Sequence, residues 1–277
     1  GQRLTATQTK PDPDGWTQSV TFAYNNALQL ESETWDADPD APAYDKIITR
    51  KYQTTGDARG RDLGFYIGEQ PTPEYEVTYI YDDDEPTPVG RLKRITGPGL
   101  PAYGVEYARL ADSDLVEYTR YKSDSTTALA TIHRAYETHR DFVDYVENTN
   151  NTTSTVVSKY DYANDTLGRR TSVVNIGTAF GDSALSKWGY NSRSELISAH
   201  RHLGTDPDEP GAEITPERRL YEYDSIGNRK THTEGDTTPP GVNYKNTNEV
   251  NQYEEITWPG PVNEALGYDA DGDMTGS

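Results

Sequence analysis

The stretch Tyr221-Glu222-Tyr223-Asp224-Ser225-Ile226-Gly227-Asn228-Arg229 carries the pattern that decides the fold. Alternate side chains of a strand point to the same face, so the rings of Tyr221 and Tyr223 share one face. An Asp that hydrogen-bonds its own backbone begins a turn, and a Gly supplies the positive φ that the turn needs. The pattern aromatic-x-aromatic-acid-x-x-Gly therefore predicts a β-hairpin whose turn lies between Asp224 and Gly227.

The same pattern recurs along the chain, with the Asp position of each unit at Asn25, Gln53, Asp82, Leu110, Glu137, Asp165, Asn191, Asp224, Asn248 and Asp269. Up to Asn191 the step stays at about 28 residues, which fits two strands of typical length and two turns. Gln53 and Leu110 hold their positions by spacing alone. The repetition predicts an all-β fold, a continuous antiparallel β-hairpin array that is curved or spiral. We expect a single array of about ten degenerate units over residues 1–277, best defined over 132–277.

Tyrosine is the most informative residue of the composition, because 21 Tyr stand against 4 Phe and 1 Met. A Tyr ring can be buried while its hydroxyl stays hydrated or hydrogen-bonded, and Tyr favours strands. We predict three structural roles in the repeat. The ring spacers are Tyr24, Tyr81, Tyr162, Tyr190, Tyr223 and Tyr268. The turn formers are Asp82, Asp165, Asp224 and Asp269, and the turn glycines are Gly168, Gly227 and Gly272.

One segment also fits a helix, because apolar residues recur at helix-like spacing at Leu129, Ile132, Tyr136, Val143 and Val146. The repeat register instead makes Glu137 a turn entry and Phe142 the start of a returning strand. We therefore predict strands here.

Composition excludes several classes of function. The net charge of -20 argues against a nucleic-acid partner, because phosphates would be repelled. No apolar run approaches about 18 residues, so no membrane span is predicted. The absence of Cys excludes disulfides and thiol chemistry. The start at Gly1, without Met or a signal peptide, indicates a piece of a longer protein.

The repeat resembles the Rhs/YD-repeat (tyrosine-aspartate repeat) family. The residues that carry the resemblance are Tyr221 to Arg229, Asp165-Thr166-Leu167-Gly168-Arg169, Asn248-x-x-Asn251-Gln252-Tyr253 and Tyr268-Asp269-Ala270-Asp271-Gly272. The resemblance implies a long spiralling β-sheet. In toxin-complex shells and bacterial Rhs effectors such a sheet closes around a C-terminal toxin, and related repeats occur in bacterial wall-associated proteins and in teneurins. The chain lacks the aspartyl self-cleavage motif and the Asp-Pro-x-Gly signature of those shells, and it is too short to close a large shell alone.

Two clusters could bind a metal ion. Asp269, Asp271 and Asp273 resemble a calcium loop, but Met274 follows and no twelfth-position Glu exists, so a hairpin turn is the alternative. His200 and His202 would share a face of a strand, although the sequence offers no evident third ligand. No cofactor or metal is therefore predicted, with Ca²⁺ at the acidic turn as the remaining candidate.

Catalysis is not predicted, because no Gly-x-Ser-x-Gly, His-Glu-x-x-His or P-loop motif occurs. The 46 acidic residues offer many carboxylate pairs for glycoside hydrolysis, and nothing singles out two of them. Candidate glycosylation sites are the sequon residues Asn150, Asn151 and Asn164.

We expect a non-catalytic scaffold or adhesive element that is extracellular or on the cell surface. Its expected partners are copies of itself, as a homo-oligomer or filament, or further repeats of the same parent chain. The first alternative is a wall segment of an Rhs-type toxin-encapsulating shell. The second is a carbohydrate-binding module that stacks glycans on Trp16, Trp35, Trp188 and Trp258.

Overall fold

The computed structural model describes residues 2–9, 17–36, 46–83, 90–236, 241–248, 250–260 and 263–276. In these ranges the chain forms β-strands, one short 3-10 helix and no α-helix. Twenty of the described strands make one antiparallel sheet of consecutive hairpins, and the last two form a separate pair. The prediction of an all-β antiparallel hairpin array is confirmed. No helix in the described ranges is long and apolar enough to cross a membrane.

The chain divides into two compact units, Gly1–Ile132 and His133–Ser277, and the boundary falls inside β10. One array over residues 1–277 stays a prediction. The strands up to that boundary are β1 (Thr5–Thr9), β2 (Thr17–Tyr24), β3 (Leu30–Asp36), β4 (Lys46–Tyr52), β5 (Asp62–Ile67), β6 (Tyr75–Tyr81), β7 (Leu92–Thr96), β8 (Gly104–Arg109), β9 (Val116–Lys122) and β10 (Ala128–Tyr136).

The second unit continues with β11 (Val143–Asn150), β12 (Thr155–Asn164), β13 (Arg170–Ile176), β14 (Ala184–Tyr190), β15 (Leu196–Leu203), the 3-10 helix Thr215–Glu217, β16 (Arg219–Tyr223), β17 (Arg229–Glu234), β18 (Val242–Thr247), β19 (Tyr253–Thr257), β20 (Asn263–Ala265), β21 (Gly267–Tyr268) and β22 (Met274–Gly276). The segment that also fitted a helix forms β10 and β11, and the backbone N–H of Glu137 donates to the carbonyl of Phe142 at 2.9 Å. The prediction of strands over this segment is confirmed.

A β-bulge lies one residue before the turn in many hairpins. In the hairpin of β16 and β17, Glu222 pairs with Thr231, and the register then shifts so that Tyr223 pairs with Arg229. The same shift occurs between residues 23/24, 51/52, 80/81, 108/109, 163/164, 189/190 and 267/268. A bulge raises the local twist and re-aims the side chain beside it. The residue that precedes each of these turns therefore occupies a recurrent position.

The buried apolar core is small. In the second unit it includes Leu185, which is fully buried, together with Val174, Ala184 and Val242. In the first unit the buried hydrophobic residue among those described is Val105. Most tyrosines are half-buried, which lets each ring contribute apolar contact while its hydroxyl bonds elsewhere. Polar contacts between neighbouring hairpins must therefore contribute much of what holds the hairpins in their relative positions.

Candidate functional site: the repeated turns and their tyrosines

Six described turns share one hydrogen-bonding geometry. In the turn at Asp224, carboxylate Oδ1 accepts the backbone N–H groups of Ile226 and Asn228, both at 2.9 Å. The Oδ1 atoms of five other residues accept the equivalent N–H groups two and four positions ahead: Asn25, Asp165, Asn191, Asn248 and Asp269. Asp and Asn are interchangeable here because both supply this acceptor oxygen.

The fourth residue of these turns is in the left-handed region. Gly168 has φ 81°, Gly227 has φ 101° and Gly272 has φ 88°. The other three turns place Leu28, Ser194 and Asn251 there, with φ of 63°, 65° and 65°. Non-glycine residues tolerate the small region near +60°, whereas the larger angle at Gly227 favours glycine.

The other four repeat positions are also turn entries, although their loops are longer. Each donates its backbone N–H to a carbonyl at 2.9–3.0 Å on the returning side, in the pairs Gln53 with Arg61, Asp82 with Arg91, Leu110 with Leu115, and Glu137 with Phe142. Spacing alone therefore locates a turn even where the side chain is Leu or Gln.

Six tyrosines that directly precede a turn fasten their hairpins to the chain before them. The hydroxyl of Tyr190 donates to the backbone carbonyl of Arg170 at 2.8 Å, and Tyr223 donates to that of Leu196 at 3.0 Å. The equivalent bonds run from Tyr24 to Arg3, Tyr52 to Leu30, Tyr81 to Asp62 and Tyr268 to Tyr253, at 2.7–2.9 Å. In five of these six bonds the acceptor is the residue that pairs with the last residue before the turn of the previous unit, as Leu196 pairs with Tyr190. We call this contact the tyrosine staple.

Three units have another residue in place of the staple tyrosine, namely Arg109, Asn164 and Thr247. Arg109 holds the position in one unit, and its Nη1 donates to the carbonyl of Leu92 at 2.7 Å. Asn164 holds it in another, and its Nδ2 donates to Glu137 at 3.0 Å. Tyr162 therefore lies two residues before the staple position, where the guanidinium of Arg170 covers its ring at 3.8 Å. Among the proposed ring spacers, Tyr162 has a different environment from the rest.

A second set of contacts joins most of the turns to the next, and we call it the turn ladder. The guanidinium of Arg193 donates to the carbonyls of Asp224 and Ser225, and Arg169 donates to the carbonyl of Asn191. Other described rungs run from Gln29 to Gly60, Arg61 to Asp83, Arg91 to Ser113, Arg140 to Asp165, Asn228 to Asn251 and Gln252 to Gly272. Arginines of the ladder also cover tyrosine rings, as Arg169 lies 4.8 Å from the ring centre of Tyr190.

The turn hydrogen bonds favour ionised carboxylates. The backbone N–H of Arg169 lowers the pKa of Asp165, and the guanidinium of the same residue lowers it further. Burial would raise the pKa of Asp224, but hydrogen bonds from Asn228 and Ile226 outweigh that effect and lower it. Both turns are therefore most stable with the carboxylate charged.

No family model and no curated protein matches this chain. It is similar to the crystal structure of TcdB2-TccC3 without hypervariable C-terminal region, with 14% sequence identity and a TM-score of 0.49, over 95% of this chain and 13% of that one. It is also similar to the crystal structure of TcdB2-TccC3-Cdc42, with 14% identity and a TM-score of 0.43, over 97% of this chain and 18% of that one. The chain thus spans less than a fifth of either solved chain.

Sequence reasoning missed the third member of a cluster of potential metal ligands. In the described part of the chain, Glu213 joins His200 and His202, with one ligand atom from each within 4.8 Å of the others. Its Oε1 lies 2.6 Å from Nδ1 of His200, and this hydrogen bond is the chief cause that lowers the pKa of Glu213. The glycines at Gly204 and Gly211 were the available signal, because they flank a loop that returns toward β15.

The acidic turn candidate has a different arrangement. Oδ1 of Asp269 accepts the backbone N–H groups of Asp271 and Asp273 at 3.0 and 2.9 Å. Within the described residues, these three carboxylates do not form a group whose oxygens converge. Calcium binding at this turn stays a prediction.

The sequon residues lie in two environments. Asn150 and Asn151 are exposed beside the turn between β11 and β12. Asn164 is half-buried, and its amide bonds both Glu137 and the guanidinium of Arg170. Glycosylation stays a prediction for all three, and the geometry favours the two exposed residues.

Two of the four tryptophans are exposed to nearly the same extent, Trp35 at 40% and Trp258 at 41%. Trp258 lines a cleft with Val242 and Pro259, and its Nε1 donates to Glu264 at 3.3 Å. Trp188 is half-buried on β14, and Trp16 lies outside the described residues.

Proposed function

We propose that this chain is a non-catalytic structural scaffold of extracellular or cell-surface location. The observation that carries the proposal is the tyrosine staple, which recurs in unit after unit with a backbone carbonyl as its acceptor. A contact that repeats at each step and uses no chemistry beyond hydrogen bonding serves to hold neighbouring hairpins together. Its recurrence supports a mechanical role for the whole array.

The small core supports the same proposal. Because few apolar side chains are fully buried, each hairpin depends on its neighbours for stability. The staples and the turn ladder provide the contacts between neighbours, the staples at the strand ends and the ladder at the turns. Such an array presents a broad acidic surface, since the chain carries a net charge of -20. The proposed use of this surface is adhesion or self-association.

Deletion of one whole unit tests the scaffold proposal. Removing residues 191–223 joins Tyr190 to Asp224 and recreates the Tyr-Asp pair in register. We expect a folded protein with cooperative unfolding by circular dichroism, because the remaining units keep their nearest-neighbour contacts. The control removes residues 170–202, an equal length that takes out β13, β14 and all of β15 except Leu203. Because three strands are lost instead of two, the strands that follow would have to reverse their direction in the sheet, and this variant should fail to fold. Equal loss of structure in both variants would contradict the proposal.

The second proposal is that the chain forms a wall segment of an Rhs-type shell. The array of consecutive antiparallel hairpins and the resemblance of its repeat support it. Negative-stain electron microscopy of the purified chain separates the outcomes, because a shell segment gives closed or curved particles and a self-assembling scaffold gives fibres. Discrete monomers without curvature would count against both forms of assembly.

Carbohydrate binding is a further proposal, supported by the cleft at Trp258. An exposed indole beside a carboxylate offers both a stacking face and a hydrogen-bond acceptor for a sugar ring. A glycan array with Trp258→Ala and Trp35→Ala tests it, since the two rings are equally exposed and the cleft contains Trp258. Loss of a glycan signal in Trp258→Ala but not in Trp35→Ala is expected. Equal signals in the two variants would refute a site at this cleft.

A further inference from the structure

The strand β15 and the segment after it bring three potential ligands together. His200 and His202 alternate along β15, so they project from the same face, and their rings stack at 6.2 Å between centroids. The chain then returns, because the backbone N–H of Leu203 donates to the carbonyl of Ala212 at 2.9 Å. An isolated antiparallel bridge pairs His202 with Glu213. The carboxylate of Glu213 is thereby placed beside both imidazoles.

The separation of the ligand atoms is compatible with a bound ion after small side-chain rotations. The three ligand atoms lie within 4.8 Å of one another. A tetrahedral metal ion about 2.0–2.1 Å from each ligand separates them by about 3.3 Å. All three residues are half-buried, so their side chains have room to close this difference. The backbone that carries them is already fixed by the sheet and by the bridge.

Groups around the cluster orient it in the way that metal sites require. The carbonyl of Gly211 lies 3.2 Å from Nδ1 of His202, a contact that leaves the Nε2 atom of a neutral imidazole able to accept a metal. Arg218 Nη1 lies 3.7 Å from Oε2 of Glu213, and the other carboxylate oxygen, Oε1, lies beside the imidazole of His200. Hydrogen bonds of this kind fix the ring orientation of ligating histidines in known metal sites.

The local charge balance also accommodates a cation. Two cations lie near the cluster, Arg218 on Glu213 and Lys187, whose ammonium donates to the carbonyl of Pro207 at 2.5 Å. The returning loop carries three acids to offset them, Asp206, Asp208 and Glu209. A negative loop raises the local concentration of divalent cations.

We propose that His200, His202 and Glu213 bind a divalent transition-metal ion of the Zn²⁺ class. Two imidazoles and one carboxylate suit such ions, whereas Ca²⁺ takes six to eight oxygens. The ion fastens the loop that follows β15 to the strand itself. This inference is independent of the scaffold role, because it concerns one loop of one unit.

Zinc titration calorimetry on the EDTA-treated chain tests the site. We expect one tight Zn²⁺ per chain and an affinity that falls at least about 10-fold in His202→Gln and in Glu213→Gln. His139→Gln is the matched control, because His139 lies exposed in a turn away from the cluster. Its zinc affinity should equal that of the unaltered chain, and Ca²⁺ at the same concentration should not displace zinc.

A measurement on the unaltered chain guards against variants that fail to fold. The chain has five histidines, so its imidazole NMR signals can be assigned individually. Zinc should shift the signals of His200 and His202 and leave those of His133, His139 and His232 in place. Absence of zinc binding, equal affinity in all variants, or unmoved signals of His200 and His202 at saturating zinc would each overturn the proposal.

Discussion

The tyrosine staple predicts a specific loss of stability when one hydroxyl is removed. Tyr190→Phe keeps the ring, and with it the contact with the Arg169 guanidinium at 4.8 Å, but deletes the 2.8 Å bond to the carbonyl of Arg170. One such hydrogen bond contributes about 0.5–1.5 kcal/mol to the free energy of unfolding. The equilibrium constant for local opening should therefore rise by about 2- to 13-fold.

Tyr162→Phe is the matched control for this substitution. Tyr162 lies on the neighbouring part of the sheet and also has an arginine over its ring, but in the described structure its hydroxyl forms no hydrogen bond. We expect less than about 0.5 kcal/mol of destabilisation, as for ordinary substitutions away from special contacts. The comparison therefore isolates the hydroxyl from the ring and from the cation.

Native-state hydrogen exchange is the appropriate assay, because repeat arrays open locally rather than all at once. Amides of β13 and β14 should exchange faster in Tyr190→Phe than in the unaltered chain, and urea unfolding should shift in the same direction. If the two Phe variants exchange equally at these strands, the staple does not hold the hairpins together and the reasoning from the repeat fails.

The remaining predictions concern the turns. Gly227→Val should destabilise the chain by more than about 1–2 kcal/mol, because a β-branched residue resists a φ of 101°. Ser225 is exposed, so Ser225→Val should change the free energy of unfolding by less than about 0.5 kcal/mol. Equal melting temperatures of the two variants would contradict the turn assignment. Because the pKa of Asp224 is lowered in the folded state, its stabilisation is present above about pH 3.9 and is lost as the pH falls through the lower folded pKa. Asp224→Asn keeps the Oδ1 acceptor, so its melting temperature should fall less with acid below about pH 4, and parallel curves would refute this. Arg193→Met should lower the free energy of unfolding in urea by about 0.5–1 kcal/mol, a modest loss because 41% of the Arg193 side chain is exposed. Lys230 has no described partner, so Lys230→Met should have no measurable effect.

The hairpin register was accessible from the sequence because it has a local cause. The Tyr-Asp pair at residues 223 and 224 defines a strand end and a turn within a few residues, and spacing then locates the weaker copies. Even Leu110, which has no turn chemistry of its own, lies at a turn entry. The same register correctly favoured strands over a helix around Tyr136.

The tyrosine staples between units were not accessible, because their acceptors are backbone carbonyls, which leave no trace in the sequence. The hydroxyl of Tyr190 binds a backbone carbonyl, and any residue at position 170 would supply one. The β-bulge before the turn also decides which residue reaches the neighbour, and this places Asn164 rather than Tyr162 at the staple position. Glu213 was missed for a related reason, since a returning loop rather than a motif brings it to the histidines.

The backbone acceptor of the staple has a consequence for how such a chain can change in length. A tyrosine that binds a main-chain carbonyl places no demand on the side chains of the unit before it. A duplicated or deleted unit would therefore find an acceptor for its staple in the neighbouring unit, whichever residue supplies that carbonyl. Copies could then diverge freely at their loops, as the long insertion after β15 illustrates. Chains built in this way can vary in the number of their units by whole-unit recombination while the staple still forms at each new junction.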